Sequence, residues 1–268
     1  MKFAIIIPTR KDRPAFIEQC KFLIKRQSLQ PNEVIWVDHE PTSNNKDITQ
    51  RYRMGVELAT KNGHDFVVFW EDDDWYDKDY LLWLTTEWRN NNLPNFFGVG
   101  ETYYYHIMLG KSHHMKHVNR TSAFCTLAKL PWKCSWPIDS YPFLDMHIHK
   151  STQVKTINFP KNKIYAIGIK HGIGLSGGGG HSTTFRFYQT ESREWFYKQI
   201  GEDRHFYDSV EQNFNKIIPT ITPNPNINHN NIPRVNGQSN IQKRKITPNN
   251  TNSQLSKGGP KIRRIRKD

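Results

Sequence analysis

The chain has 268 residues, of which 36% are hydrophobic and 13% aromatic, enough for one substantial core and for one domain or two. No apolar run nears the ~20 residues that would cross a bilayer. The apolar start is broken at Pro8 before it is long enough for a signal peptide, and three cysteines (Cys20, Cys125, Cys134) are too few and too odd for a disulfide framework. A reducing cytoplasm, the host's if the source is viral, is the expected compartment. The formal charge of +13 is uneven: residues 219–268 hold ten Lys or Arg against one acid, a net of +9, which leaves +4 for everything before them.

In chain order, residues 3–7 read as a first strand, closed by Pro8-Thr9-Arg10. A helix follows over 14–26, with Asp12 as its cap and Pro14 in its first turn. Residues 33–38 make strand two. Over 47–60, Ile48, Tyr52, Val56 and Ala59 recur at helical spacing, and 66–70 is strand three. This alternation describes βαβ units feeding a parallel sheet, whose strands bind ligands at their carboxyl ends. At that end of the third strand stand four acids, Glu71-Asp72-Asp73-Asp74. Packed carboxylates repel one another unless a cation holds them, and hard oxygen ligands suit Mg²⁺ or Mn²⁺. The alternative is a solvated turn before a helix starting near Lys78 with Asp77 as cap.

After Pro94 the pattern turns β-rich, with strands expected over 96–99, 102–107, 154–159 and 164–169, then helices over 190–200 and 203–217. Gly172 to Gly177 matches GxGxxG but runs into further glycines and His181 rather than an apolar helix, so it reads as a loop. His113, His117, Cys125 and Cys134 are spaced too irregularly for a zinc site, and the cysteines read as small buried residues. Tyr103-Tyr104-Tyr105, Trp132 and Trp136 suit either core packing or stacking on an acceptor.

Four pieces in this order, Ile5-Ile6-Ile7-Pro8-Thr9, the run from Glu33 to Asp38, Arg53-Met54-Gly55 with Ala59, and Phe69-Trp70-Glu71-Asp72-Asp73-Asp74-Trp75, give the chain its resemblance to the family-2 glycosyltransferases of the GT-A fold. The resemblance spans about residues 2–181. It implies an α/β, GT-A nucleotide-sugar-binding fold over residues 1–218, with a mostly parallel Rossmann-like sheet and a β-rich acceptor-side half. It also implies an inverting, metal-dependent transfer from a UDP-sugar, glucose favoured. Carried over residue by residue, Pro8, Thr9, Arg10, Asp38, Arg53, Glu71 and Asp72 would line the donor, with Asp38 accepting the uracil N–H. Asp73, Glu71, Asp74 and His171 would hold Mn²⁺ or Mg²⁺; glutamate in the first place departs from the family's Asp-x-Asp. Asp145 would be the base that deprotonates the acceptor, with Asp139 in reserve. Trp75, Lys170 and His181 would contact substrate.

Residues 219–268 contain no Phe, Tyr or Trp and are heavy in Asn and Pro, so disorder is expected there. Their two basic clusters, Lys243-Arg244-Lys245 and Lys261 to Lys267, suit phosphate contact without sequence reading. The acceptor this points to is a hydroxymethylated pyrimidine in DNA, a role resembling that of phage-encoded DNA glucosyltransferases, with the base leaving the stack to react. One alternative is a transferase for cell-surface polysaccharide, lipid or protein glycan, its tail on anionic lipid. A non-catalytic nucleic-acid-binding protein would explain the tail but not the strand-borne carboxylates.

Overall fold

The computed structural model describes residues 1–40, 47–117, 120–140, 144, 147–148, 153–171 and 192–217. Asp145, His181, the glycine run and the basic tail lie outside the described residues.

Strands β1 (Phe3–Pro8), β2 (Glu33–Val37), β3 (Phe66–Phe69), β5 (Phe96–Val99), β8 (Thr126–Lys129) and β9 (Lys155–Ile157) form one sheet in the order β2-β1-β3-β8-β5-β9. β1 is parallel to β2 and β3, β5 is parallel to β9, and β8 lies antiparallel between β3 and β5. One strand therefore runs against five. This is the α/β, mostly parallel architecture expected from the GT-A resemblance.

Every residue of β1 and β3 is buried, as continuous apolar strands covered on both faces must be. Side chains alternate between the faces. Phe3, Ile5 and Ile7 join a core with Phe16, Cys20, Leu23 and Ile24 of helix α1 (Pro14–Lys25), whereas Ala4 and Ile6 join one with Tyr52, Val56 and Ala59 of helix α2 (Ile48–Lys61). Gly55 lets α2 lie against β1, because a Cβ there would collide with the Ile6 side chain.

β4 (Trp75–Tyr76), β6 (Glu101–His106), β7 (Lys111–Lys116) and β10 (Ala166–Lys170) build a second sheet in the order β4-β10-β6-β7. β10 is parallel to β6 and antiparallel to β4, and β7 is antiparallel to β6. Helices α3 (Tyr80–Asn90), α4 (Arg193–Ile200) and α5 (Arg204–Ile217) follow along the chain, with the Ser192 hydroxyl capping α4. Among the described residues no helix is long and apolar enough to cross a membrane.

Two helix caps differ from the sequence reading. Arg13, not Asp12, is the N-cap residue of α1, and its side chain makes no cap hydrogen bond. Helix α3 begins at Tyr80, with Asp79 as the N-cap residue, while the Asp77 carboxylate accepts the Asp79 N–H at 2.9 Å just before it.

Candidate functional site

Three loops meet where β1, β2 and β3 end. The Trp70 N–H still pairs with the Ile6 carbonyl at 3.1 Å, after which the chain turns through Glu71–Asp74 into β4. Asp72, Asp73 and Asp74 are only 2%, 9% and 2% exposed. Three adjacent carboxylates out of water require partners. Arg13 supplies most of the compensation: one guanidinium nitrogen donates to Asp72 Oδ1 at 2.5 Å and the other to Asp73 Oδ2. His171, just past β10, pairs through Nε2 with the same Asp73 oxygen at 2.8 Å. Asp74 Oδ1 accepts the Ile169 N–H at 2.7 Å, whereas Asp74 Oδ2 is buried with no hydrogen-bond partner among the described residues.

These partners set the acids apart. Burial pushes Asp72 up to about 6, outweighing the pull of Arg13. Burial would raise Asp73 as well, yet the guanidinium of Arg13 and the imidazole of His171 hold it far below the usual carboxylate range. Asp74 is raised well above that range by burial and by the charges of Glu71 and Asp73. Lys170 is the reverse case: burial works against its charge, but Asp74 and Glu71 keep it protonated above the ordinary lysine value. Its Nζ sits 5.0 Å from the centre of the Tyr104 ring, within cation–π range.

Glu71, Asp73 and Asp74 can each turn one oxygen to a common point, the three lying within 4.8 Å of one another. An all-oxygen set, beside which Asp74 Oδ2 is buried with no hydrogen-bond partner among the described residues, fits a hard divalent cation. Such an ion would meet a resident positive charge, because Arg13 already engages Asp73.

The loop after β1 is held by an arginine that the sequence reading passes over. Arg51 is 1% exposed and donates to the carbonyls of Thr9, Val37 and His39 at 2.6, 2.8 and 2.8 Å, while Asp47 takes its charge at 2.9 Å. It thereby ties the ends of β1 and β2 together. Arg10 adds a bond to Asp47 at 3.0 Å, and the buried Thr9 donates its N–H to the Val37 carbonyl at 3.1 Å. Pro8 closes β1 opposite Val37. Asp38 pairs with Lys11 at 3.2 Å, and Lys11 holds a left-handed φ of 61° to bring the loop round.

Other expected site residues lie differently. Arg53 pairs with Asp139 at 2.8 and 2.9 Å, so the donor-side arginine and the reserve base meet each other. The Trp75 ring is 2% exposed and belongs to the core, its indole N–H donating to Asp203 at 2.7 Å. His117 Nε2 bonds the hydroxyls of Thr102 and Ser122, both at 2.9 Å.

No protein-family model and no curated protein matches this chain. Among solved structures it is similar to S. aureus TarS. For TarS 1-349 in complex with UDP-GlcNAc the identity is 12% over 80% of this chain and 71% of that one, with a TM-score of 0.43. For the complex with UDP it is 15% over 64% and 61%, with a TM-score of 0.41. For TarS itself it is 14% over 63% of this chain and 37% of that one, with a TM-score of 0.42. This chain thus spans well under half of the longer TarS chain. At such distance the chemistry of the site stands on the geometry above.

Proposed function

We propose that this protein is an inverting, metal-dependent glycosyltransferase that moves a sugar from a UDP-sugar to a hydroxyl acceptor. The observation that carries the reading is the set of the half-buried Glu71 with the buried Asp73 and Asp74, launched from the carboxyl end of a parallel strand and offering one oxygen each within reach of one cation. A divalent ion bound there would act as a Lewis acid, offsetting the charge that grows on the departing diphosphate. The chain's own groups do the rest. Asp73, kept ionised by its neighbours, anchors the cluster; Lys170 offers a permanent positive charge beside it. Thr9 and Asp38, on loops fixed by Arg51, would receive the nucleobase. Asp145 would take the proton of the acceptor hydroxyl, a role that the ion-paired Asp139 would fill only after releasing Arg53.

The acceptor we infer is a hydroxymethylated pyrimidine in DNA, on the strength of the basic clusters in residues 219–268. Incubating the full chain with Mn²⁺, mixed UDP-sugars and a panel of acceptors that includes hydroxymethylated DNA, followed by mass spectrometry, tests both halves. A hexose added to the DNA supports the whole reading. Slow hydrolysis of a UDP-sugar with no DNA product supports the donor half and turns the acceptor towards surface glycans. Neither product rejects the proposal.

A further inference from the structure

At the far end of the second sheet lies a groove of about 890 Å³ between the start of β6, the segment leading into β10, and α4. It is distinct from the acidic site. Ile164 lines the groove, whereas Ile169, five residues on, donates to Asp74, a separation of about 16 Å along extended chain.

Three kinds of side chain face this space. Tyr103, Phe159 and Trp195 are half-buried rings, held firmly yet open on one side. Tyr103 stacks on His114 at 4.4 Å and lies 5.4 Å from Trp195, and Phe159 is braced by Trp83 at 5.1 Å. Their planes are therefore set before any ligand arrives. Lys161 and Lys198 are exposed and have no carboxylate partner among the described residues, whereas Lys163 is tied to Asp77 and Asp79 at 3.0 and 3.1 Å. Asn158 and Gln199 add amides. The acid on this lining, Glu101, is taken by His114 at 3.1 Å and Lys116 at 3.9 Å.

Rings and amides alone would suit a neutral sugar chain, but such a ligand gains nothing from two unpaired lysines. A bare polyanion would use the lysines and leave the rings idle. Single-stranded nucleic acid uses both, its bases on the rings and its phosphates on the cations. We propose that this groove binds single-stranded nucleic acid, with bases against Tyr103, Phe159 and Trp195 and phosphates towards Lys161 and Lys198. This rests on the nucleic-acid reading of the acceptor and extends it: the groove holds strand that flanks the reacting base.

The test uses the full chain and a short oligothymidylate carrying 5-iodouracil, which photo-cross-links to aromatic side chains. Residues 219–268 contain no Phe, Tyr or Trp, so aromatic cross-links report on the rest of the chain even while the tail holds the oligonucleotide. Cross-linked peptides should contain Tyr103, Phe159 or Trp195. The double substitution Lys161→Glu and Lys198→Glu, at exposed positions, should leave the thermal midpoint in place and lower the yield by about tenfold, and Trp195→Ala should weaken cross-linking at its neighbours by roughly fivefold or more. Absent cross-links, cross-links confined to other rings, or a yield indifferent to the double substitution would overturn the proposal. So would displacement of the oligonucleotide by a neutral oligosaccharide, which would make the groove a glycan site. Mn²⁺-dependent UDP binding, measured on the same preparations, reports on the donor site separately.

Discussion

At the carboxyl end of β10 the acids are largely buried, with Asp73 held between Arg13 and His171 and Asp74 accepting the Ile169 N–H through one oxygen. At the amino end two of the cations, Lys161 and Lys198, are exposed at the rim of a groove of half-buried rings and have no carboxylate partner among the described residues. The same strand thus joins two electrostatic regimes. In the first, low dielectric makes each pairing strong, so single substitutions have large effects that salt barely alters. In the second, contacts are individually weak, tolerant of sequence and screened by salt, as suits holding a polymer loosely while one unit of it reacts.

Four substitutions put this contrast at risk. The largest effect is expected from Asp145→Asn, which keeps volume and removes basicity: turnover should fall about a hundredfold or more while UDP affinity holds. Near-normal turnover would move the base to Asp139 or elsewhere. Next is Arg51→Met. It leaves Asp47 with less compensation and removes the Arg51 bonds to the Thr9, Val37 and His39 carbonyls, of which Val37 keeps the Thr9 N–H, and should cost about 3 kcal/mol in urea unfolding. A loss under about 1 kcal/mol would mean the loops after β1 and β2 hold without it.

Arg13→Ala removes the cation that a metal must meet at Asp73, so Mn²⁺ affinity in calorimetry should rise about tenfold. Weaker Mn²⁺ binding would instead mean that Arg13 holds the carboxylates in place. The smallest effect concerns pH. Asp47 would be raised by burial, but Arg51 and Arg10 hold it below the usual range. Its contribution is therefore present above the unfolded value near 3.9 and is lost as pH falls through the lower folded one. Asp47→Asn should be about 1 kcal/mol less stable than the parent at neutral pH, with the gap closing in acid. A gap that widened in acid would contradict the pairing.

Much of the first half was legible in the sequence, because its strands are continuous apolar runs and its helices have clear periodicity. Helix α1 is expected over 14–26 and found over Pro14–Lys25. The short strands were less so. β8 is four residues long and β4 two, too short for any period to show, and both are fixed by partners distant in the chain. In the site, the acids were visible because they follow a buried strand, and Lys170 and His171 were named beside them, whereas Arg13 was not. Arg51 could have been found, since it shares the buried stripe of α2 with Gly55 and Ala59 at intervals of four, while Arg53 lies off that stripe. Arg13 had only its place before Pro14, which makes it the N-cap residue and leaves its side chain free to turn to the acids.

Above all, we propose that Glu71, Asp73 and Asp74 bind a cation that in turn binds a nucleoside diphosphate. The direct test is calorimetric titration of UDP into the full chain with and without Mn²⁺, beside a folded Asp73→Ala variant. The expected result is UDP binding that requires Mn²⁺ and disappears in the variant. UDP binding that is indifferent to both the ion and Asp73, or no UDP binding under any of these conditions, would contradict it.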